Sequence, residues 1–304
     1  MIINITKGFL IGIANIIPGV SGGTFALILG IYDRLIAALS SIDIEFIRKA
    51  AKPSEFFVEL KKRDQLFLIQ ILVGALAAIG MFSWIVDYLL KNYSGMTLAF
   101  FFGLIVPSIC IPYGMIRDGK VKNFLFILPG VLLVWVIYNI KFGITDISLP
   151  VVFAGGMLAI SAMILPGISG SFVLLIIGLY EEIVLNIKVF TSSMDTGAFI
   201  VLSVFGAGCI TGLLLFVRLM KILLKKHRNS TLCFLIGLVI GSAVVLWPFK
   251  EYPEPGDGKT EIAVTTAKNR MPAGSKETVF YSLAFLGGFI GAAGMNRIAK
   301  AGHK

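Results

Sequence analysis

"IIPGVSGGTFALILGIYDRL", residues 16–35, interrupts an apolar run with Pro18, Gly19, Gly22 and Gly23. A helix in hydrocarbon does not break its own ladder without reason, because freed backbone groups are costly there. Residues 164–183, "ILPGISGSFVLLIIGLYEEI", repeat the pattern. At an offset of 148, Pro18-Gly19-Val20-Ser21-Gly22 falls on Pro166-Gly167-Ile168-Ser169-Gly170. The match continues through Leu27/Leu175, Gly30/Gly178, Tyr32/Tyr180 and the acids Asp33/Glu181, and upstream Gly8 meets Gly156. After a small change of offset, "TLAFFFGL" (97–104) meets "TLCFLIGL" (231–238), and Gly74 and Gly80 pair with Gly206 and Gly212. Collinear matches of this kind mark an internal duplication.

The surroundings set the class. Of 304 residues, 57% are hydrophobic and 14% charged, with mean hydropathy +0.91. Runs long enough to cross about 30 Å of hydrocarbon recur throughout. The expected fold is therefore an all-α polytopic membrane protein, and no cleavable signal peptide is expected at the start. A net charge of +10 invites a nucleic-acid partner, but the bases sit in short loops between apolar runs, so none is expected. Cys110, Cys209 and Cys233 read as small core residues, and with His227 and His303 they form no metal-ligand spacing.

Each half reads as a broken hairpin followed by three spans. Repeat 1 (1–149) has a hairpin at 3–39 and spans at 65–90, 96–116 and 123–140. Repeat 2 (150–304) has a hairpin at 150–187 and spans at 197–220, 231–248 and 279–297. Basic residues crowd 40–64 (Arg48, Lys49, Lys52, Lys61, Lys62, Arg63), 117–123, 221–230 and the C-terminus, whereas in 249–278 acids balance bases. With all the basic loops in the cytoplasm, each hairpin crosses an even number of times. Arms of about 14–18 residues, roughly 21–27 Å, are short for full spans, so re-entrant hairpins are the preferred reading. Three crossings separate them, which inverts the second repeat relative to the first. Both termini are then cytoplasmic.

Non-helical backbone at membrane depth belongs where protein or a wet cavity surrounds it. Pro18 ends the first arm, and Gly19 permits the turn. Ser21 is a natural N-cap for a helix starting at Gly22, where Gly23 leaves the first-turn amides uncovered and Thr24 adds a hydroxyl. Pro166 and Gly167 make the second break, and Ser169, Gly170 and Ser171 make its cap, with Phe172 in place of the threonine. Such helix starts favour phosphate or carboxylate. Small residues that merely let helices pack closely are the plainer alternative. For Asp33, Arg34, Glu181 and Glu182, about 17–18 Å of helix beyond the serines, two readings stand: proton or sodium coupling, or interfacial solvation. Arg218, Asp87 and Arg297 read as charges at the ends of spans.

The doubled "PGVSGGT" and "PGISGS", each running on to "GIYD" or "GLYE", resemble the bacterial polyprenyl-phosphate transporters, long catalogued as a domain of unknown function. The resemblance covers almost the whole chain. It implies a flippase of the bacterial plasma membrane that returns undecaprenyl phosphate from the outer to the inner leaflet for cell-wall synthesis, without a cofactor. The implied headgroup positions are Ser21, Gly22, Gly23 and Thr24, with counterparts Ser169, Gly170 and Ser171. Removing both serine hydroxyls is expected to weaken headgroup binding with folding intact. Undecaprenyl-diphosphate phosphatases look similarly duplicated, but Gly22 and Gly170 stand where their motif has arginine. A carrier or channel for small soluble anions is the other alternative.

Overall fold

A computed structural model describes residues 1–17, 20–50, 52–116, 120–139, 147–251, 267–272 and 274–301. It is almost entirely helical. The first hairpin consists of α1 (Ile2–Ile16), α2 (Gly22–Ile28) and α3 (Tyr32–Ser40), followed by α4 (Ile44–Ala50) and α5 (Pro53–Lys62). Then come α6 (Gln65–Asn92), α7 (Ser94–Ile105), a 3₁₀ turn at Val106–Ile109, α8 (Cys110–Gly114), α9 (Val121–Phe124) and α10 (Ile127–Asn139). The second half holds α11 (Leu149–Ile164), α12 (Gly170–Ile176), α13 (Tyr180–Ser193), α14 (Thr196–Lys226), α15 (Arg228–Val245) and α16 (Ser275–Ala301). Lys250–Glu251 and Lys268–Asn269 form a minimal antiparallel pair after α15.

Six helical segments among the described residues are long and apolar enough to cross a membrane: Gln65–Asn92, Ser94–Gly114, Val121–Asn139, Thr196–Lys226, Arg228–Val245 and Ser275–Met295. Their burial separates centre from periphery. The apolar windows of the segments at Arg228–Val245 and Ser94–Gly114 are 61% and 50% buried, whereas the other four lie between 11% and 22%. α7 and α15 are thus the axis of the bundle, and α6, α10, α14 and α16 form its apolar rim, with Trp84, Leu72, Trp135 and Ile290 exposed on it. In water such a rim would aggregate; in hydrocarbon it is the natural surface. The core between them joins Ile17, Phe25 and Ile28 of the first hairpin, Leu98 and Ile105 of α7, and Leu235 and Leu238 of α15.

The sequence matches acquire a packing meaning. α1 lies on α6 as α11 lies on α14. A Cβ on Gly74 would overlap the carbonyl oxygen of Ile5, and one on Gly208 that of Phe153, which is Ile5 plus 148. The expected partner of Gly74, Gly206, has nothing near it, and neither does Gly80. The correct offset for this helix is therefore 134, the same as for "TLAFFFGL", and glycine count alone had slipped it by two. The last helix of each half packs on the other half: α16 on α7, and α10 on α15. Gly103 meets the carbonyl of Phe285 and Gly237 that of Ile127, while Gly288 and Gly130 meet those of Phe100 and Phe234. These close backbone approaches need small residues.

Each second hairpin arm differs from the single helix expected. α2 and α12 stop after seven residues. Gly30 and Gly178 then adopt φ +66° and +81°. Their N–H groups donate to Leu27 and Leu175, and the next residues, Ile31 and Leu179, donate to Ala26 and Leu174. That is a Schellman ending with an apolar residue behind the glycine. The helical ruler from serine to acid therefore does not hold, since α3 and α13 start in a new direction. Cys110 is exposed rather than a core residue, whereas Cys233 is buried.

Candidate functional site

α11 stops at Ile164 because Leu165 turns extended before Pro166, which cannot donate to the ladder. Gly167 takes φ +84° and presses against α15, where a Cβ would lie 2.7 Å from the Leu238 carbonyl oxygen. Ser169, extended at φ −96°, caps α12 by accepting from the Phe172 N–H at 3.2 Å. Ser21, at φ −116°, caps α2 by accepting from the Thr24 N–H at 3.3 Å. Both serines read as N-caps from sequence are N-caps. Pro18 and Gly19, the expected first break, lie outside the described residues.

The two motifs meet. Ser21 Oγ donates to the Leu165 carbonyl at 2.9 Å and accepts from the Gly167 N–H at 3.2 Å. Thr24 Oγ1 accepts from the same N–H at 2.9 Å. Gly23 lies flat against the Ile164 carbonyl, 2.5 Å from where its Cβ would be, and Tyr32 Oη donates to that carbonyl at 3.4 Å. The first cap is thus a clamp on the second break. Ser21 and Thr24 are 1% and 0% exposed, and Gly22 and Gly23 are buried. Ser169 is 8% exposed, while Gly170 and Ser171 are half-buried. Ser171 Oγ lies 3.4 Å from Ser169 Oγ.

Beside the second cap is an apolar cavity of about 280 Å³ between α10, α11 and α12. Ile168 and Val173 flank the cap and also line the cavity, together with Leu133 and Ile137 of α10 and Leu165 at the end of α11. Phe172, at the position of Thr24, stacks on Tyr138 with ring centroids 3.9 Å apart. The Tyr138 hydroxyl is buried without a hydrogen-bond partner among the described residues. Where Thr24 offers a clamp hydroxyl, the matched position therefore offers a ring stacked on Tyr138.

Two residues here escaped the sequence reading. Asn15 accepts from the Gly22 N–H at 2.8 Å, and Lys7 donates to the Leu29 carbonyl at the end of α2 at 3.3 Å. A polar residue inside the apolar arm 3–39 was the available signal. The second half has Met163 at the position of Asn15, so this support exists on one side alone.

The acids part company. Asp33 Oδ2 accepts from Arg228 Nη2 at 2.7 Å, and Arg34 forks onto Asp64 at 2.6 and 2.8 Å while lying over Phe67. Glu181 is exposed, and Glu182 accepts from Asn186 at 2.8 Å. The partners of Asp33, Arg34 and Glu182 thus lie outside both caps. In the 40–64 segment Arg63 is engaged by Asp43, Glu59 and Glu45. The Phe46 N–H and the Arg63 guanidinium hold the Asp43 carboxyl below its ordinary range.

A family model described as undecaprenyl phosphate translocase-like matches residues 11–261. A polyprenyl-phosphate transporter of Vibrio cholerae serotype O1 is 36% identical over 245 residues, covering 81% of this chain and 77% of that protein. A polyprenyl-phosphate transporter of Staphylococcus aureus is 35% identical over 260 residues, covering 81% and 86%. No solved structure matches the chain.

Proposed function

As the chain belongs to the undecaprenyl phosphate translocase-like family, we propose that it moves undecaprenyl phosphate from the outer to the inner leaflet of a bacterial plasma membrane. Its relatives are named as transporters, and it is a transporter rather than an enzyme. The lipid returns for another round of cell-wall synthesis. The phosphate is held in turn by the two caps, Ser21 to Thr24 and Ser169 to Ser171, in an alternating-access cycle.

The observation that carries this reading is the clamp of Ser21 and Thr24 on Leu165 and Gly167. It closes the first cap with both of its hydroxyls hydrogen-bonded, while the matched cap at Ser169 is less buried and adjoins an apolar cavity. A phosphate at Ser169–Ser171 would have hydroxyl and first-turn N–H donors, which favour an anion, and its first isoprene units would enter the cavity. The prenyl tail gains little by leaving lipid for protein, since both are apolar. The phosphate therefore sets the barrier, and shielding it is the transporter's task. Exchange of the clamp for a phosphate at Ser21 and Thr24 would release Gly167 and open the other side.

The repeats are taken as inverted because three candidate spans separate the hairpins, and a re-entrant hairpin enters and leaves on one face. Basic loops then face the cytoplasm with both termini. Asp33 and Arg34 act in gating through their ion pairs, with a proton or sodium ion as the coupling species.

The clamp changes what a serine variant means. Ser21→Ala removes a buried hydroxyl with three partners, at a cost of about 1–3 kcal/mol, so it is not neutral for folding. Ser169→Ala removes a cap of about 1 kcal/mol and is the cleaner probe. The purified Ser169→Ala variant is expected to bind undecaprenyl phosphate at least about tenfold more weakly, the loss of one charge-assisted bond. Unchanged affinity in a folded variant would remove this site.

A further inference from the structure

A separate cleft opens where the turn from α14 into α15 meets the start of α9. Its volume is about 630 Å³, within the usual range for small-ligand sites of roughly 300–1,000 Å³. Lys120, Lys122, Lys225, Lys226, His227 and Arg228 line it, and among the described residues no carboxylate does. We propose that this cleft binds a phosphate-bearing group, apart from the two caps and independently of the transport reading.

Loop charges that merely orient a membrane protein need to lie near one face; they need no shared concavity. Here the walls come from the two halves of the chain and are tied together. Ser230 Oγ donates to Asn123 Oδ1 at 3.1 Å across the cleft. Arg228 is held from behind by Asp33 on α3, and its Nε is buried without a hydrogen-bond partner among the described residues. Arg228 is the anchored cation, and the exposed lysines around the same concavity add charge of one sign, which concentrates the field in it. The positive end of the 18-residue α15 adds to the same side. Lysines recognise phosphate as point charges and arginine as a planar fork, so a phosphate mono- or diester suits the lining better than a carboxylate or an apolar ligand. The source is either a lipid headgroup or free phosphate.

The test uses the full chain in nanodiscs of uncharged phosphatidylcholine, with orthophosphate and dihexanoyl phosphatidic acid as probes in separate titrations. Lys122→Gln/Lys225→Gln/Lys226→Gln is compared with Lys61→Gln/Lys62→Gln, which removes charge outside the cleft. The cleft variant is expected to lose about tenfold or more in affinity, as three charges facing the phosphate are removed, while the other keeps wild-type affinity. Lys122→Arg/Lys225→Arg/Lys226→Arg retains binding, and this arm stands even if the glutamine variant misfolds. Tighter binding of phosphatidic acid than of orthophosphate identifies a lipid headgroup; equal binding identifies free phosphate. No saturable binding of either probe, or equal loss in the two glutamine variants, overturns the site.

Discussion

The hydroxyl of Ser21 accepts from Thr24 and Gly167 and donates to Leu165, whereas that of Ser169 accepts from Phe172 and lies near Ser171. Matched residues thus do different jobs, and the difference starts from Thr24 facing Phe172 in the alignment. Gly167 is the point on which both jobs turn. Gly167→Ala would force an L side chain to φ +84° against Leu238 and Ser242, costing about 1–3 kcal/mol for the backbone conformation alone. The expected result is a lowered melting temperature. Gly206→Ala, with open space around it, should be neutral or raise stability by up to about 1 kcal/mol. Equal melting temperatures for the two variants would contradict the packing of the second break on α15. At this scale the capping serines were legible because an N-cap is a local event of a few residues. Asn15 and the Gly167 contacts were not, since Asn15 is seven residues from Gly22, and Gly167 is 71 and 75 residues from Leu238 and Ser242 and 143 and 146 from Thr24 and Ser21, which leaves no local pattern.

At the scale of elements, glycine-mediated contacts join α7 to α16 and α10 to α15, across the halves. The collinear matches could be read along the chain, yet the cross-half packing could not, because chain order says which helices follow one another and nothing of which touch. The second arms were read as unbroken for a related reason: an isolated glycine in an apolar run has no distinct periodicity, and only its positive φ makes it a stop. Gly103→Val and Gly237→Val each push a branched side chain into a backbone carbonyl of the facing helix. Each is expected to lower stability by about 1–3 kcal/mol or more, in a thermal-melting series on detergent-purified protein. Gly80→Val, in open space, should change it by far less, and a similar drop would deny the cross-half packing.

The whole molecule has two well-buried central helices inside an apolar rim, with the caps meeting where the halves join. Membrane class was legible from composition alone. Orientation rests on loop charge and is open to direct measurement. In a background lacking Cys110, Cys209 and Cys233, cysteines placed at Lys62 and Lys225 should react with an impermeant maleimide from the cytoplasmic side. Cysteines at Asn92 and Ser193 should react from outside. Labelling of Lys62 and Ser193 positions from the same side would contradict the inversion.

Most direct is transport by the purified chain in liposomes loaded with undecaprenyl phosphate, following the phosphate's exposure on each leaflet with and without a proton or sodium gradient. The wild-type chain is expected to accelerate leaflet exchange well above protein-free vesicles, and Ser169→Ala to slow it by about tenfold, one lost hydrogen bond to a charged group. Exchange no faster than in protein-free vesicles, or an undiminished rate in the Ser169→Ala variant, would contradict the account.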